Sequence, residues 1–470
     1  MHNLIKLLLL IPVINVLFSQ SNLSYFFQQK EWQSTIIGIS VKDVNTKQTL
    51  LEYNSHIQLV PASTFKLLVT AVVLEKLGAN FRFSTPIYIN GKIQNNTLYG
   101  DLIIQGKGDP TIESRFFQSP KLSDFVEILK KNNIQKINGK IIFDASYTQS
   151  DINDNWIWED INNYYTAIPY AFNIYDNEYH IFLQSESENN PVKVIRIEPQ
   201  YVSKPFIEIT ENSLIAKGKG DNAYIFGDPL GYTKRLKGSI PPFQKEYSIE
   251  GSLPNSTRMF VEQLVAVFQK HQILFQQSEI LINSKDSLNY SALHLIGEVH
   301  SPPLSEIIRL TNLHSINLFA EAMLFAIGNG NYEQGKIEVI NFLKKLNTNT
   351  NEINIDDACG LSRLNGISTD ALCQLLVQMY VSKRGEVFLK SLPVAGENGT
   401  MKNFSDTFPL KGNLRCKTGY IQRVRTYSGY MTTKSGKTLA VCVFFNNFNN
   451  GIEKIKHTTK IFFETLYQNF

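Results

Sequence analysis

The alternation of apolar and polar positions predicts strands at both ends of the chain. Near the start, TIIGISVKDVNTKQTLLEYN contains two short apolar runs around the polar turn DVNTKQ, which is typical of a β-hairpin. Near the end, RTYSGYMTTKSGKTLAVCVFFNNF predicts two strands joined at residues 434–437, and IEKIKHTTKIFFETLYQNF predicts a closing helix. We therefore expect one sheet that uses strands from both ends of the chain.

The stretch VPASTFKLLVTAVVLEKLG, residues 60–78, predicts a buried helix. Its apolar residues are dense on all sides, which is typical of a helix without a solvent face. Pro61 and Ser63 suit the beginning of this helix, and Gly78 suits its end.

The middle of the chain has another pattern. From about residue 86 to 291, short β-like runs such as INGKIIFDASYT alternate with glycine, asparagine and aspartate turns. Helical patterns return with RMFVEQLVAVFQKHQI and strengthen after residue 303. Strands at both ends with helices between them predict an α/β unit, into which the β-rich middle is inserted.

Composition and charge narrow the possible partners. The chain has 470 residues, of which 43% are hydrophobic and 19% charged, so we expect a globular protein of two or three domains. The net charge is only +4, and no lysine or arginine block resembles a nucleic-acid footprint. We therefore predict no nucleic-acid partner.

The first residues, MHNLIKLLLLIPVINVLFSQSN, predict export. A basic Lys6 is followed by an apolar run at residues 7–18 and then by small and polar residues, the order of a secretory signal peptide. The run is too short to span a bilayer; the alternative is a buried N-terminal strand or helix. We predict a signal peptide at residues 1–20, cleaved near Ser19 or Gln20. No later segment is long and apolar enough to cross a membrane, so we predict a mature chain without a transmembrane segment.

Cysteine and histidine positions give no support for a metal. None of the four cysteines, which are Cys359, Cys373, Cys416 and Cys442, forms a C-x-x-C pair, and the eight histidines are scattered. Export permits disulfides, and four cysteines allow three pairings, between which the sequence cannot choose. Small buried thiols are an equally good interpretation. We predict neither a metal nor another cofactor.

Three short motifs carry the candidate chemistry: STFK at 63–66, SIN at 315–317 and KTG at 417–419. This trio in this order is typical of penicillin-binding proteins and class A β-lactamases. The first and third motifs occur once in the chain. The middle motif is weak alone, because SEN at 187–189 and SLN at 287–289 also fit it.

The spacing of the first motif has a physical reason. Residues three apart on a helix share a face, so Lys66 can reach the Ser63 hydroxyl. A serine is a poor nucleophile until a base takes its proton, and a lysine can be that base if its amine is partly neutral. A second cation, here Lys417, would lower the lysine pKa. A backbone N–H at the helix N-terminus would face a developing oxyanion.

The chain resembles the class C low-molecular-mass penicillin-binding proteins, which are D-alanyl-D-alanine carboxypeptidases and endopeptidases of the cell wall. The resemblance runs from about residue 30 to the end and includes a large insert between the first two motifs. Further segments in family order are GKGDPTI, WIWEDINNYYTAIPYAFNIYDNEY, SPPLSEIIRLTNLHSINLFAEAML, CGLSRLNGIS, LPVAGENGTM and RCKTGY.

The resemblance implies a catalytic role for three residues. Ser63 would attack the penultimate D-alanine carbonyl and form an acyl-enzyme. Lys66 would be the general base. Ser315, held between the two lysines, would relay a proton to the departing D-alanine nitrogen.

The resemblance also implies substrate contacts for five residues. Asn317 would hydrogen-bond the peptide backbone of the substrate. Lys417 and Thr418 would hold the terminal carboxylate, and Gly419 would let the strand come close to it. Tyr420 would complete an oxyanion hole through its backbone N–H, together with the N–H of Ser63.

Four positions depart from the family pattern. Ile316 replaces the usual aspartate at the centre of the middle motif, where only the flanking residues face the substrate, so we expect activity to survive. Tyr420 replaces a common threonine, and we expect its side chain to affect substrate preference. Cys359 stands where serine is usual, and Cys416 directly precedes Lys417; we interpret both as packing residues.

The resemblance implies an α+β fold of the β-lactamase-like, penicillin-recognising type. We predict that residues 21–85 and 292–470 form the catalytic domain, an antiparallel sheet flanked by helices, and that residues 86–291 form a β-rich insertion. The implied protein is a serine D-alanyl-D-alanine carboxypeptidase of the periplasm or cell envelope. The sequence leaves open whether it also has DD-endopeptidase activity. Its partners would be peptidoglycan stem peptides and, as covalent inhibitors, β-lactams.

Two alternatives remain. A β-lactamase would turn penicillin over rapidly, although the Glu-x-x-Leu-Asn motif of class A enzymes is absent from the sequence. A catalytically silent envelope protein would keep the fold to bind peptidoglycan or a partner, although a pure binder has no need of both lysines.

Overall fold

The computed structural model describes residues 32–148, 151–199, 207–285, 288–449 and 451–470. The predicted signal peptide lies outside the described residues. The chain divides into two compact units. Among the described residues, the first contains those up to Ala79, Ser305–Ile316 and Lys336–Phe470, and the second contains those of Asn80–Leu304 and Asn317–Gly335. The domain boundaries given above stay a prediction.

The described residues form nineteen strands, which are in chain order β1 (Ile36–Asp43), β2 (Thr49–Tyr53), β3 (Ser84–Gln94), β4 (Thr97–Gln105), β5 (Lys136–Asn138), β6 (Ile141–Asp144), β7 (Glu178–Gln184), β8 (Lys193–Glu198), β9 (Glu208–Ala216), β10 (Asn222–Phe226), β11 (Thr233–Ile240), β12 (Tyr247–Ser252), β13 (Ile280–Asn283), β14 (His294–His300), β15 (Ile353–Asn354), β16 (Gly366–Ile367), β17 (Leu414–Ile421), β18 (Val424–Thr432) and β19 (Thr438–Asn446). The α-helices of the same residues are α1 (Lys66–Leu77), α2 (Leu122–Lys131), α3 (Ser256–Lys270), α4 (Leu304–His314), α5 (Asn317–Ile327), α6 (Tyr332–Lys345), α7 (Thr369–Val381), α8 (Gly385–Ser391) and α9 (Ile452–Asn469).

The first unit is built on a five-stranded antiparallel sheet in the order β17-β18-β19-β1-β2. The predicted β1–β2 hairpin and the predicted β18–β19 hairpin are both present, and β1 pairs directly with β19. The sheet therefore joins strands from both ends of the chain, as the sequence pattern predicts.

Helices cover both faces of this sheet. Along β19, alternate residues such as Val441 and Val443 pack against α9 in one hydrophobic core. On the opposite face, the thiol of Cys373 in α7 donates to the Ala440 carbonyl oxygen of β19. Because both faces are covered, nearly every residue of β19 is buried. This explains the continuous apolar run LAVCVFF, since a strand buried on both sides has no solvent-facing positions to alternate.

The second unit contains most of the remaining strands. A six-stranded sheet has the order β13-β6-β4-β3-β14, with β5 beside β4, and two three-stranded sheets have the orders β10-β11-β9 and β12-β7-β8. Four phenylalanines contact one another in its core, and they are Phe125, Phe143, Phe172 and Phe260. The region between residues 86 and 291 is β-rich, as expected.

One helix of this region is missing from our sequence interpretation. We predict α3 but not α2, although the sequence carries a signal for α2. Four buried residues follow helical spacing, and they are Leu122, Phe125, Val126 and Leu129. This pattern predicts an amphipathic helix, whose apolar side packs into the core of the second unit.

The predicted buried helix within residues 60–78 is confirmed, and its α-helical part begins at Lys66. It ends at Gly78, which adopts a left-handed φ of 85° and whose N–H donates to the Leu74 carbonyl oxygen. Within the described part of the chain, no helix is both long and apolar enough to cross a membrane.

Candidate active site

The residues around Ser63 form a tight turn that precedes the α-helix. Ala62–Phe65 is a 3₁₀-helix, and α1 begins at Lys66. A 3₁₀-helix has three residues per turn, so residues three apart lie above one another. The Ser63 and Lys66 side chains therefore share one face, and the Lys66 Nζ lies 3.0 Å from the Ser63 Oγ.

The Lys66 side chain is fully buried. Besides its contact with Ser63, its Nζ donates to the backbone carbonyl oxygen of Cys359 at 2.6 Å. No sequence pattern indicates this acceptor, because every residue carries the same backbone carbonyl. Cys359 therefore contributes a main-chain oxygen to the site, whatever its side chain does.

A threonine of the sheet holds the turn in place. The Thr426 hydroxyl, in β18, donates to the Pro61 carbonyl oxygen at 2.6 Å. The Thr64 hydroxyl donates to the same oxygen at 2.7 Å and lies 3.2 Å from the Thr426 Oγ1. Between these anchors Ala62 has a positive φ of 46°, which is unfavourable for a residue with a Cβ. The surrounding packing therefore sets the backbone that presents Ser63.

Lys417 and Ser315 form a second lysine–serine pair. The Lys417 Nζ donates to the Ser315 Oγ at 2.9 Å and to the Thr418 carbonyl oxygen at 2.8 Å. Ser315 follows α4 with a left-handed φ of 63°, which is a strained conformation for serine. The structure thus brings together one residue from the second motif and one from the third, which are 102 positions apart in the chain.

Burial and charge both act on Lys417. Its side chain is fully buried, and this burial holds its pKa well below the usual value. The positive charges of Lys66 and Arg425 lower the pKa further. We predict from the sequence that Lys417 acts on the pKa of Lys66, and the structure shows the reciprocal effect, since repulsion between two cations is mutual. Arg425, in β18, also lowers the pKa of Lys417, and the three motifs do not indicate this residue.

The KTG segment lies on β17 and approaches the Ser63 turn closely. A Cβ added to Gly419 would lie 2.2 Å from the Thr426 Oγ1 and 2.9 Å from the Ser63 backbone nitrogen. Only glycine therefore allows β17 to run so close to this turn. The next residue, Tyr420, pairs with Arg425 in the ladder, and 56% of its surface is exposed.

Asn317 belongs to the second compact unit, unlike the other predicted site residues. It is the first residue of α5, and its side-chain amide donates to the Tyr165 carbonyl oxygen at 2.7 Å. Its predicted contact with the peptide substrate stays a prediction. Tyr165 lies in the aromatic segment WIWEDINNYYTAIPY, whose role the motifs leave open.

The four cysteines are buried, and none of them forms a disulfide in the described structure. Burial raises the pKa of the Cys416 thiol well above its usual value, so this residue is an inert packing group beside Lys417. Cys416 and Lys417 directly precede Thr418 and Gly419 in β17, which is buried along most of its length. The packing interpretation of Cys416 agrees with this environment.

Within the first unit, one group of described side chains has the spacing of a metal site. The ligand atoms of His56, Glu352 and Asp370 all lie within 4.8 Å of one another. However, the Asp370 Oδ1 is 2.8 Å from the Lys42 Nζ, and the His56 Nδ1 is 3.1 Å from the Glu352 Oε1. These contacts give the ligand atoms partners within the protein, and we assign no metal to the group.

The chain matches a known protein family along most of its length. The sequence profile of the D-Ala-D-Ala carboxypeptidase 3 (S13) family matches residues 19–463. The chain belongs to this family. The predicted family and the predicted enzyme class, a D-Ala-D-Ala carboxypeptidase, are thereby confirmed.

Individual relatives are distant but cover most of the chain. D-alanyl-D-alanine carboxypeptidase DacB of Haemophilus influenzae is 25% identical over 90% of this chain and 88% of its own length. D-alanyl-D-alanine carboxypeptidase of Actinomadura sp. is 24% identical over 89% of this chain and 78% of its own length.

A solved structure is similar along nearly the whole chain. Penicillin-binding protein 4 from Haemophilus influenzae has a TM-score of 0.79 at 24% identity, covering 95% of this chain and 99% of that chain. The same protein complexed with a β-lactam has a TM-score of 0.75 at 22% identity, with the same coverage. The predicted α+β fold of the penicillin-recognising type is confirmed by this similarity.

Proposed function

We propose that this protein is an exported serine D-alanyl-D-alanine carboxypeptidase that acts on peptidoglycan stem peptides, with DD-endopeptidase as a further activity. The observation that carries the proposal is the pairing of two serine hydroxyls with two buried lysines. The Lys66 Nζ lies 3.0 Å from the Ser63 Oγ, and the Lys417 Nζ lies 2.9 Å from the Ser315 Oγ. The family and the names of the relatives support the substrate class.

Acylation would begin with proton transfer from Ser63 to a neutral Lys66 amine. The Ser63 Oγ attacks the carbonyl carbon of the penultimate D-alanine, and the carbonyl oxygen gains negative charge. The backbone N–H groups of Ser63 and Tyr420 stabilise this oxyanion. Gly419 supports this step, because it permits the close approach of β17 to the Ser63 turn.

Breakdown of the tetrahedral intermediate would use the second pair. Ser315 relays the proton that Lys66 took from Ser63 to the nitrogen of the departing D-alanine. The peptide bond then breaks, the acyl group stays on Ser63, and the Lys66 amine is neutral again. Lys417 and Thr418 bind the terminal carboxylate, and Asn317 binds the peptide backbone of the substrate. Water then hydrolyses the acyl-enzyme and releases the shortened peptide.

Inhibition by β-lactams belongs to the same proposal. A β-lactam presents a strained cyclic amide to Ser63. When Ser63 opens the ring, the leaving amine stays covalently attached to the acyl-enzyme. A relative has been solved with a β-lactam bound, which supports this expectation. The signal-like N-terminal sequence supports a periplasmic or cell-envelope location.

The test is to incubate the protein without residues 1–20 with benzylpenicillin and follow its intact mass over time. We expect a long-lived adduct on the wild type and none on Ser63→Ala. A peptide ending in D-Ala-D-Ala should release D-alanine with the wild type only. A Ser63→Ala protein that still acquires the adduct would refute the assignment, and rapid release of hydrolysed penicillin would favour a β-lactamase. A folded wild type with neither adduct nor hydrolysis would favour a silent binding protein.

A further inference from the structure

The loop between β15 and β16 supplies the backbone acceptor of the proposed base. The Cys359 carbonyl oxygen accepts from the Lys66 Nζ at 2.6 Å, which is shorter than the 3.0 Å contact of the same nitrogen with the Ser63 Oγ. The position of this carbonyl therefore influences where the Lys66 nitrogen lies and how it is turned.

A buried carboxylate closes this loop around Cys359. Asp357 is fully buried, and its Oδ1 accepts from the Gly360 backbone N–H at 2.6 Å. Its Oδ2 accepts from the Ser362 backbone N–H at 2.5 Å. The two N–H groups follow Cys359 in the chain, whereas the carboxylate precedes it. The Asp357 side chain thus clamps the turn whose carbonyl faces Lys66.

Asn365 completes the clamp. Its Nδ2 donates to the Asp357 Oδ1 at 2.6 Å, and its Oδ1 accepts from the backbone N–H groups of Asp356 and Asp357 at 2.8 Å and 3.1 Å. Asp357 and Asn365 therefore hold each other through both side-chain and backbone contacts. Both oxygens of the carboxylate are used within the loop.

The loop is also in close contact with the Ser63 turn. Gly360 has a φ of 83°, and a Cβ at this position would lie 1.9 Å from the Ala62 carbonyl oxygen and 3.2 Å from the Phe65 Cβ. The loop and the turn that bears Ser63 therefore fit against each other without room for a side chain. A change in the shape of the loop would be transmitted to both Ser63 and Lys66.

We propose that Asp357 is a positioning residue for Lys66. By fixing the Cys359 carbonyl it orients the Lys66 amine toward the Ser63 hydroxyl. The inference rests on the proposed function, in which Lys66 is the base. A neutral amine has two N–H donors and one lone pair, so an N–H committed to Cys359 restricts rotation of the nitrogen and directs the lone pair toward Ser63. The hydroxyl proton can be taken only along that direction.

The experiment measures the first-order acylation rate constant and the non-covalent dissociation constant for benzylpenicillin separately. Asp357→Asn keeps the size of the side chain but replaces one acceptor oxygen with an NH₂ group that faces N–H donors. We expect the acylation rate constant to fall about 10²-fold, the effect of misplacing a reacting group by about 1 Å, while the dissociation constant stays within about 3-fold.

Asp43→Asn is the matched control. Asp43 is also buried, and its Oδ1 accepts from the backbone N–H groups of Asn45 and Thr46 in the β1–β2 turn. The same change there should leave the acylation rate constant of the folded protein unaltered. If Asp357→Asn does not fold, Asn365→Ala is measured instead. It removes one donor to the Asp357 Oδ1 and the side-chain acceptor of the Asp356 and Asp357 backbone N–H groups, while leaving the carboxylate, and we expect about a 10-fold loss of the acylation rate constant.

The outcomes separate this inference from the proposed function. A folded Asp357→Asn protein that acylates within about 3-fold of the wild type would overturn the positioning role while leaving the Ser63 chemistry intact. A parallel loss in Asp43→Asn, or weaker binding at an unchanged rate constant, would also overturn it. A wild type that never acylates would instead refute the proposed function.

Discussion

Two buried lysines, one in each compact unit, have similar surroundings and different chemistry. Lys417 in the first unit donates to the Ser315 hydroxyl and the Thr418 carbonyl oxygen. Lys234 in the second unit donates to the Asn162 side-chain oxygen and the Asp228 carbonyl oxygen. Burial lowers the pKa of both, to about 8 for Lys234 and well below the usual value for Lys417.

The difference lies in the partners. The oxygens that face Lys234 carry no proton, so the lysine can only hold two segments of the second unit together. Lys417 faces a hydroxyl, which can pass a proton, and its pKa is lowered further by the neighbouring charge of Lys66. A lowered lysine pKa therefore reports burial, and the partner atom decides whether chemistry is available.

The largest expected effect is on the acylation rate when Lys417 is replaced, and Lys234 is the lysine to compare it with. Lys417→Met should reduce the acylation rate by about 10³-fold, because it deletes a preorganised cation and donor from the site. Lys234→Met should leave acylation within about 2-fold of the wild type and lower the free energy of unfolding by about 1–3 kcal/mol, since two buried acceptors lose their donor. Acylation kinetics and denaturant unfolding measure the two effects. Equal losses of acylation in both variants would show that the partner atom does not decide whether a buried lysine takes part in the chemistry.

A smaller effect is expected where β17 meets the Ser63 turn. Gly419→Ala introduces a Cβ within 2.9 Å of the Ser63 nitrogen, so the strand must move away from the turn. We expect acylation to slow by about 10²-fold. Gly220→Ala is the control, because no atom lies within 4 Å of a Cβ there. Normal acylation by Gly419→Ala would show that the close approach is unnecessary.

The pH dependence of stability sharpens the comparison. The pKa of Lys234 is about 8 in the folded state against 10.5 for the usual value, so the unfolded state binds more protons between these limits. The free energy of unfolding should therefore rise with pH from about 8 to 10.5, by at most about 1.4 kcal/mol per pH unit from this group, and this gain is absent below pH 8. Unfolding of wild type and Lys234→Met across this range measures the difference. Identical slopes would mean that Lys234 is solvated in the folded protein.

The smallest effect is expected at Tyr420. More than half of its surface is exposed, and the proposed oxyanion contact uses only its backbone N–H. Tyr420→Thr should therefore acylate with benzylpenicillin within about 3-fold of the wild type, while the ratio of kcat/KM values for two stem peptides changes. Peptide competition assays measure that ratio. A large loss of acylation would assign the side chain a direct part in the reaction.

Much of the first unit could be predicted from local patterns. The β1–β2 and β18–β19 hairpins, the buried α1 and the closing α9 follow from hydrophobic period and turn residues, which act over a few positions. The helix α2 carries an equally local signal that our interpretation passed over. The 3₁₀ form of the Ser63 turn was not predicted, because the Thr426 and Thr64 contacts that hold it come from the tertiary packing around Pro61.

By itself the sequence determined the family, the order of the three motifs and the residue types that can act as nucleophile, base and donor. Only the tertiary structure decided that Lys417 meets Ser315, that Asn317 contacts Tyr165 in the second unit, and that the Cys359 carbonyl meets Lys66. The physical reason is that motifs specify side chains. Backbone acceptors, burial and the pKa values that burial sets arise only when distant segments pack together.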